Sequence, residues 1–135
     1  MTEKLLIEKA LKATENSYSP YSGFKVGAAL LCEDGEIYCG CNIENASFSA
    51  TVCAERVAIS KAVSEGKAKF KAIAVVGGKN GEITDYCTPC GICRQVLSEF
   101  CEGDFKIILF NGDTIKVVTL NEILPLGFGS ENLCL

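Results

Sequence analysis

The chain has 135 residues, 48% of them hydrophobic, and carries 13 Lys and Arg against 17 Asp and Glu for a net charge of −4. That length predicts a single domain over residues 1–135 whose hydrophobic core needs no covalent staples. A negative balance with scattered basic residues argues against nucleic acid as a partner, and the lack of any uninterrupted apolar run of about 18 residues argues against a membrane span.

The opening segment, TEKLLIEKALKATENS, has apolar residues at positions 6, 7, 10 and 11 and reads as an amphipathic helix that ends before Pro20. Lys4, Glu8 and Lys9 break the apolar run of a secretory signal, so the expected location is the cytoplasm. FKVGAALLCEDGEIYCGCNI reads as a hairpin, Val26 to Cys32 and Glu36 to Ile43, turning at EDGE. CAERVAISKAVSEG reads as a helix stopped by Gly66, and FKAIAVVGG as a strand covered on both faces. TPCGICRQVLSEFC begins another helix, with Thr88 as N-cap and Pro89 at the first helical position. FKIILF and IKVVTL are two more strands, LNEILP is a short helix, and LGFGSENLCL is a glycine-containing tail. The order α-β-β-α-β-α-β-β-α predicts an α/β fold, a three-layer αβα arrangement around a five-stranded mixed sheet.

No histidine is present. That removes Ser-His-Asp and Cys-His catalysis together with the commonest metal ligand. A metal site must then use Cys, Asp or Glu, and a proton shuttle is expected to be a carboxylate. In a reducing compartment nine cysteines, an odd number, read as thiols or metal ligands rather than a disulfide framework.

Within DYCTPCGICRQV, Cys87, Cys90 and Cys93 lie three apart. With Thr88 as cap, Cys90 and Cys93 share one face of the first helical turns and gain from the positive helix end, which favours them over Cys87. Cys53, at the start of another helix, is the candidate third ligand. Glu55 can face the same site only at a frayed first turn, because residues two apart on a regular helix diverge by about 200°. Three thiolates around Zn²⁺ leave one net negative charge, and Arg56 and Arg94 are expected to offset it. Cys32, Cys39, Cys41, Cys87, Cys101 and Cys134 read as small buried or incidental thiols. The spacing leaves three readings open: a catalytic zinc, a structural zinc module closed by Cys87, and a thiol-redox pair.

CAE followed by PCGIC resembles the zinc deaminase signature in its three-cysteine form. The blocks YSPYSGFKVGAALL, GCNIENASF, CAERVAISKAVSEG, PCGICRQVLSEF and NEILPLGFGSENL together resemble the small homotetrameric cytidine deaminases nearly end to end. The resemblance implies one zinc per subunit, held by Cys53, Cys90 and Cys93 with water as the fourth ligand. Glu55 would shuttle protons between that water, the ring N3 and the departing ammonia. Phe24 would pack against the pyrimidine, Asn42 and Glu44 would bond the ribose hydroxyls, and the backbone at Ala54 would hold the polar edge of the base. Phe128 would close a neighbouring subunit's pocket in a homotetramer with shared active sites. The implied reaction is hydrolytic deamination of cytidine and 2′-deoxycytidine in pyrimidine salvage. A deaminase of a modified cytosine nucleoside, of the blasticidin-S type, shares the zinc motifs, whereas NIEN and CAER favour the plain nucleosides. One departure stands out: Phe48 occupies a position where the family commonly has tyrosine, so a hydroxyl contact to the sugar is lost.

Overall fold

The computed structural model describes residues 2–133, so Cys134 lies outside the described residues. Helix α1 (Thr2–Ala13) runs into a 3-10 turn at Thr14–Asn16 and is followed by β1 (Phe24–Cys32) and β2 (Ile37–Cys41). A second 3-10 turn, Phe48–Ala50, precedes α2 (Ala54–Ser64), β3 (Phe70–Lys79) and α3 (Gly91–Phe100). Strands β4 (Lys106–Phe110) and β5 (Ile115–Thr119), helix α4 (Leu120–Ile123) and a 3-10 turn at Ser130–Leu133 complete the order. The strands form one sheet in the order β2-β1-β3-β4-β5. Among these strands β3 and β4 pair in parallel, and the other neighbours are antiparallel. The sheet is therefore mixed, as the element order predicts.

Successive strand residues point to opposite faces, and here both faces are covered. Ala28 and Leu30 of β1, Ile73 and Val75 of β3, and Ile107 and Leu109 of β4 pack with Ala58 and Ile59 of α2 and Leu97 of α3. Their neighbours in sequence, Ala29, Ala74, Val76 and Ile108, pack against Leu6, Ile7 and Ala10 of α1. The result is three layers, with α1 on one side and α2 and α3 on the other. Burial on both faces is why β3 reads as a continuous apolar run.

Several boundaries differ from expectation. β1 begins at Phe24 rather than Val26, and β2 ends at Cys41 rather than Ile43. Ile43 leaves the sheet to bridge Tyr18 on one side and Val52 on the other, which swings the following segment towards α2. Gly66 stops α2 as expected. Its φ of +89 is left-handed, and Lys67 N donates to Ala62 O at 2.9 Å to close the helix end.

Gly40 sets how near β2 comes to α2. A Cβ there would fall 2.6 Å from the carbonyl oxygen of Ala54 and 2.7 Å from the amide nitrogen of Ala58. Gly40→Ala must push α2 outward and should cost about 1–3 kcal/mol, the usual toll of overpacking. Urea unfolding checks this: the midpoint should fall with the slope unchanged. A wild-type midpoint would show that the helix retreats freely.

Candidate active site

Both cysteine-bearing helices start on a cysteine. Cys53 is the N-cap of α2 (φ −78, ψ 156) and Cys90 the N-cap of α3 (φ −69, ψ 170). Neither side chain takes a capping bond from the amides of its own helix, so each thiol projects off a positive helix end. The expectation for Thr88 and Pro89 is corrected here. Thr88 is exposed and does not cap α3, and Pro89 is buried ahead of the helix rather than being its first residue. A hydroxyl cap is worth only about 1 kcal/mol, and burying Pro89 while bonding its carbonyl to Arg94 Nε at 2.7 Å outweighs it.

These caps bring three sulfurs together. Cys53 Sγ lies 3.6 Å from Cys90 Sγ, and Cys90 Sγ lies 3.5 Å from Cys93 Sγ. All three fall within 4.8 Å of one another. Cys93 is buried, Cys53 is half-buried and Cys90 is exposed. Tetrahedral zinc with sulfur at about 2.3 Å needs sulfur separations of about 3.8 Å, and the cluster fits that ion. Cys87 stands outside it. Its thiol is pushed up to about 12, first by burial and then by the charges of Glu55 and Cys53. A Cβ on Gly77 would sit 2.9 Å from Cys87 Sγ and 3.0 Å from Phe24 Cε2, so bare backbone at Gly77 makes room for both side chains.

The cap geometry also meets the condition set for Glu55. Cys53 is extended rather than helical, so the divergence of residues two apart on a regular helix does not apply to Cys53 and Glu55. Glu55 is 3% exposed, and burial pushes its carboxyl up to about 7, with the charge of Cys53 adding to the effect. Its Oε1 is buried with no hydrogen-bond partner, a costly state for a carboxyl oxygen unless something else uses it. The neighbouring Cys93 thiol, with Arg56 assisting, pulls the Cys53 thiol down to about 5, and Cys53, burial and the charge of Glu55 push that of Cys93 up.

The two arginines part company. Arg56 donates from a terminal nitrogen to Cys53 Sγ at 3.7 Å and to Thr51 O at 3.5 Å, so it sits against the sulfurs. Arg94 gives its hydrogen bonds to backbone instead. Its Nε donates to Pro89 O at 2.7 Å and its Nη1 to Ile123 O at 2.6 Å. Two orphan carbonyls claim the guanidinium before a sulfur can.

The residues expected to contact substrate lie on separate elements of the chain. Phe24 opens β1 and is exposed. Asn42 is buried, and its carboxamide oxygen accepts from Val26 N at 2.9 Å and from the Ser17 hydroxyl, while Nδ2 donates to Phe24 O at 2.8 Å. One amide hydrogen is left for anything else. Glu44 Oε1 accepts from Tyr21 N at 2.9 Å and Ser22 N at 3.1 Å, and Oε2 accepts from the Ser22 hydroxyl. Ala54 is the buried first residue of α2. Phe128 is exposed, and its carbonyl accepts from Gln95 Nε2 at 2.8 Å. Phe48, also exposed, meets Tyr21 edge-on with ring centroids 6.1 Å apart. Sequence reasoning missed Ser17, Ser22, Gly77 and Gln95. The first two sit in a polar Ser-Pro turn segment that could have flagged them; the others carry no local signal.

The model of the cytidine and deoxycytidylate deaminase zinc-binding region matches residues 1–109. The chain belongs to this family. It is 51% identical over 135 residues to a cytidine deaminase of Sporosarcina psychrophila, covering 98% of this chain and 96% of that one. A cytidine deaminase of Halalkalibacterium halodurans is 47% identical, with 98% of each chain covered. The crystal structure of a cytidine deaminase from Burkholderia pseudomallei superposes with a TM-score of 0.87 at 44% identity, covering 95% of this chain and 100% of that one. A blasticidin-S deaminase of Bacillus cereus is more distant, 36% identical over 122 residues. Membership of a zinc-binding deaminase family and the three-sulfur cluster together make zinc the cofactor. Among the described residues no helix is long and apolar enough to cross a membrane.

In this deaminase Arg56→Gln removes a cation from Cys53. The thiol, now held down to about 5, should rise. Protons then compete better with zinc, so zinc release on acidification should begin at a higher pH than in the wild type. A chelator titration across pH checks the shift. An unchanged release midpoint would show that the helix ends alone hold the thiolate.

Proposed function

We propose that residues 1–135 act as one catalytic domain that hydrolyses cytidine and 2′-deoxycytidine to the uridines and ammonia. The observation that carries this reading is the unpartnered, buried Oε1 of Glu55 beside the three sulfurs. Cys53, Cys90 and Cys93 would hold zinc, which when bound supplies the Lewis acidity that makes water a nucleophile near neutral pH. Glu55, with its carboxyl poised near neutrality, takes one proton from the attacking water and gives it to ring N3, then takes the second from the new C4 hydroxyl and gives it to the exocyclic amine. A C4–O bond forms, the C4–N bond breaks, and ammonia leaves. Phe24 packs on the pyrimidine and the backbone at Ala54 meets its polar edge. Asn42 and Glu44 offer the ribose their remaining hydrogen-bonding positions. Phe128, tied to α3 through its carbonyl, would reach a neighbouring subunit's site in a homotetramer. A role in pyrimidine salvage in the cytoplasm accords with these substrates.

A structural zinc module closed by four cysteines is disfavoured, because Cys87 lies outside the sulfur cluster. The test is a substrate panel followed by ultraviolet absorbance on zinc-loaded protein: cytidine, 2′-deoxycytidine, free cytosine and blasticidin S. Loss of both nucleosides, with little loss of the free base, is expected. Turnover of blasticidin S with cytidine untouched would overturn the reading in favour of the modified nucleoside.

A further inference from the structure

We infer that Arg94 is a positioning residue for the ligand Cys90 and that, with its neighbour Gln95, it forms a latch seating the C-terminal segment on the metal-binding helix. The inference rests on the zinc reading above for its first half only.

Arg94 lies in the first turn of α3, and its backbone amide donates to Cys90 O at 2.9 Å. Its side chain then folds back past the cap. The Pro89 carbonyl precedes the helix and belongs to a buried residue, so it needs a donor from elsewhere. Arg94 Nε supplies it at 2.7 Å. The same guanidinium reaches Ile123 O, at the end of α4, with 2.6 Å from Nη1. The last carbonyls of a helix have no partner within it, and a charged donor bonds them strongly. One planar group therefore fixes both the residue before Cys90 and the end of α4. A lysine ammonium at the same place lacks the rigid fork that spans two such acceptors.

Gln95 grips the tail at a second point. Its Nε2 donates to Phe128 O at 2.8 Å, which holds the backbone while leaving the Phe128 ring exposed. Between the two grips lies Leu126, with a left-handed φ of +56 and full exposure. A bulky residue rarely adopts that backbone unaided. Anchors on both sides hold it there. Whatever secures Cys90 and the start of α3 therefore also secures residues 123–128, and by linkage the seated tail favours the ligating position of Cys90.

The test compares wild type, Arg94→Ala, Arg94→Lys and Gln95→Ala as full chains. Two quantities are read: the rate of zinc transfer to a chromophoric chelator, and hydrogen exchange of the amides over residues 123–133. Arg94→Ala should transfer zinc about tenfold faster or more, the scale expected for losing a charge-assisted bond to a buried carbonyl, and should exchange faster throughout the segment. Gln95→Ala should speed exchange near Phe128 and, through the linkage, transfer zinc faster than wild type but by less than Arg94→Ala. Arg94→Lys should fall between wild type and Arg94→Ala in zinc transfer. Wild-type zinc transfer in both Arg94 variants would overturn the positioning role, even where urea stability falls. Unchanged tail exchange would overturn the latch. Should Arg94→Ala fail to fold, Arg94→Lys decides alone, since wild-type behaviour in both readouts contradicts the need for a fork. Zinc content of the wild type is measured first. A wild type that binds no zinc removes the underlying reading, and the exchange data still judge the tail latch separately.

Discussion

Glu55→Gln should keep zinc and bind nucleoside while turnover falls by at least ~10²–10⁴-fold, the usual worth of a positioned acid–base group. The substitution preserves shape and removes only the capacity to carry a proton. No histidine exists to take over the task, and the other ionisable groups nearby are the sulfurs that hold metal and Arg56, which stays protonated. Because one carboxyl serves several transfers in a single turnover, the loss should reach the upper part of that range. Steady-state kinetics with zinc quantified in the same sample check it. The zinc-free proteins add a readout independent of catalysis. In the wild type the folded Glu55 holds its proton up to about 7, whereas the unfolded chain releases it near its ordinary value. Folded protein therefore binds more protons between those values, and its stability falls as pH rises through that window. Gln has nothing to titrate, so this component of the decline should vanish. A variant with wild-type kcat would sink the assignment of Glu55.

Cys90→Ser and Cys93→Ser should each lose zinc and activity together, while Cys87→Ser keeps about one zinc per chain and near-normal turnover. A hydroxyl is a poor substitute for thiolate at zinc. Cys90 and Cys93 stand at the cap and third position of α3, with sulfurs 3.5 Å apart. Cys87 is held as a thiol by burial, at about 12, and fills space over Gly77. Zinc analysis after gel filtration separates the outcomes. Loss of metal from Cys87→Ser would return the site to four sulfurs and revive the structural module.

The choice of Cys90 and Cys93 over Cys87 is legible in the sequence because a helix start can be read from Thr88, Pro89 and the apolar run beyond. The reason behind that choice is only partly right. α3 begins two residues later than the cap rule suggests, on Cys90 itself. Cap preferences are local and weak, whereas the burial of Pro89 and its bond to Arg94 are tertiary and stronger. Glu55 is legible only as a condition, since the extended backbone at Cys53 that frees the two side chains from helical spacing leaves no trace in composition. The sheet is readable from period and turns because β3 is apolar throughout and β1 and β2 share a tight turn. The supports are not. Asn42 holding the start of β1, Gly77 clearing space and Arg94 reaching α4 each depend on residues far apart in the chain.

The central claim is a zinc bound by three cysteines with its fourth position left to chemistry. X-ray absorption at the zinc edge of the purified protein tests it most directly. Three sulfur neighbours at about 2.3 Å and one lighter neighbour at about 2.0 Å are expected. Four sulfur neighbours would contradict the account.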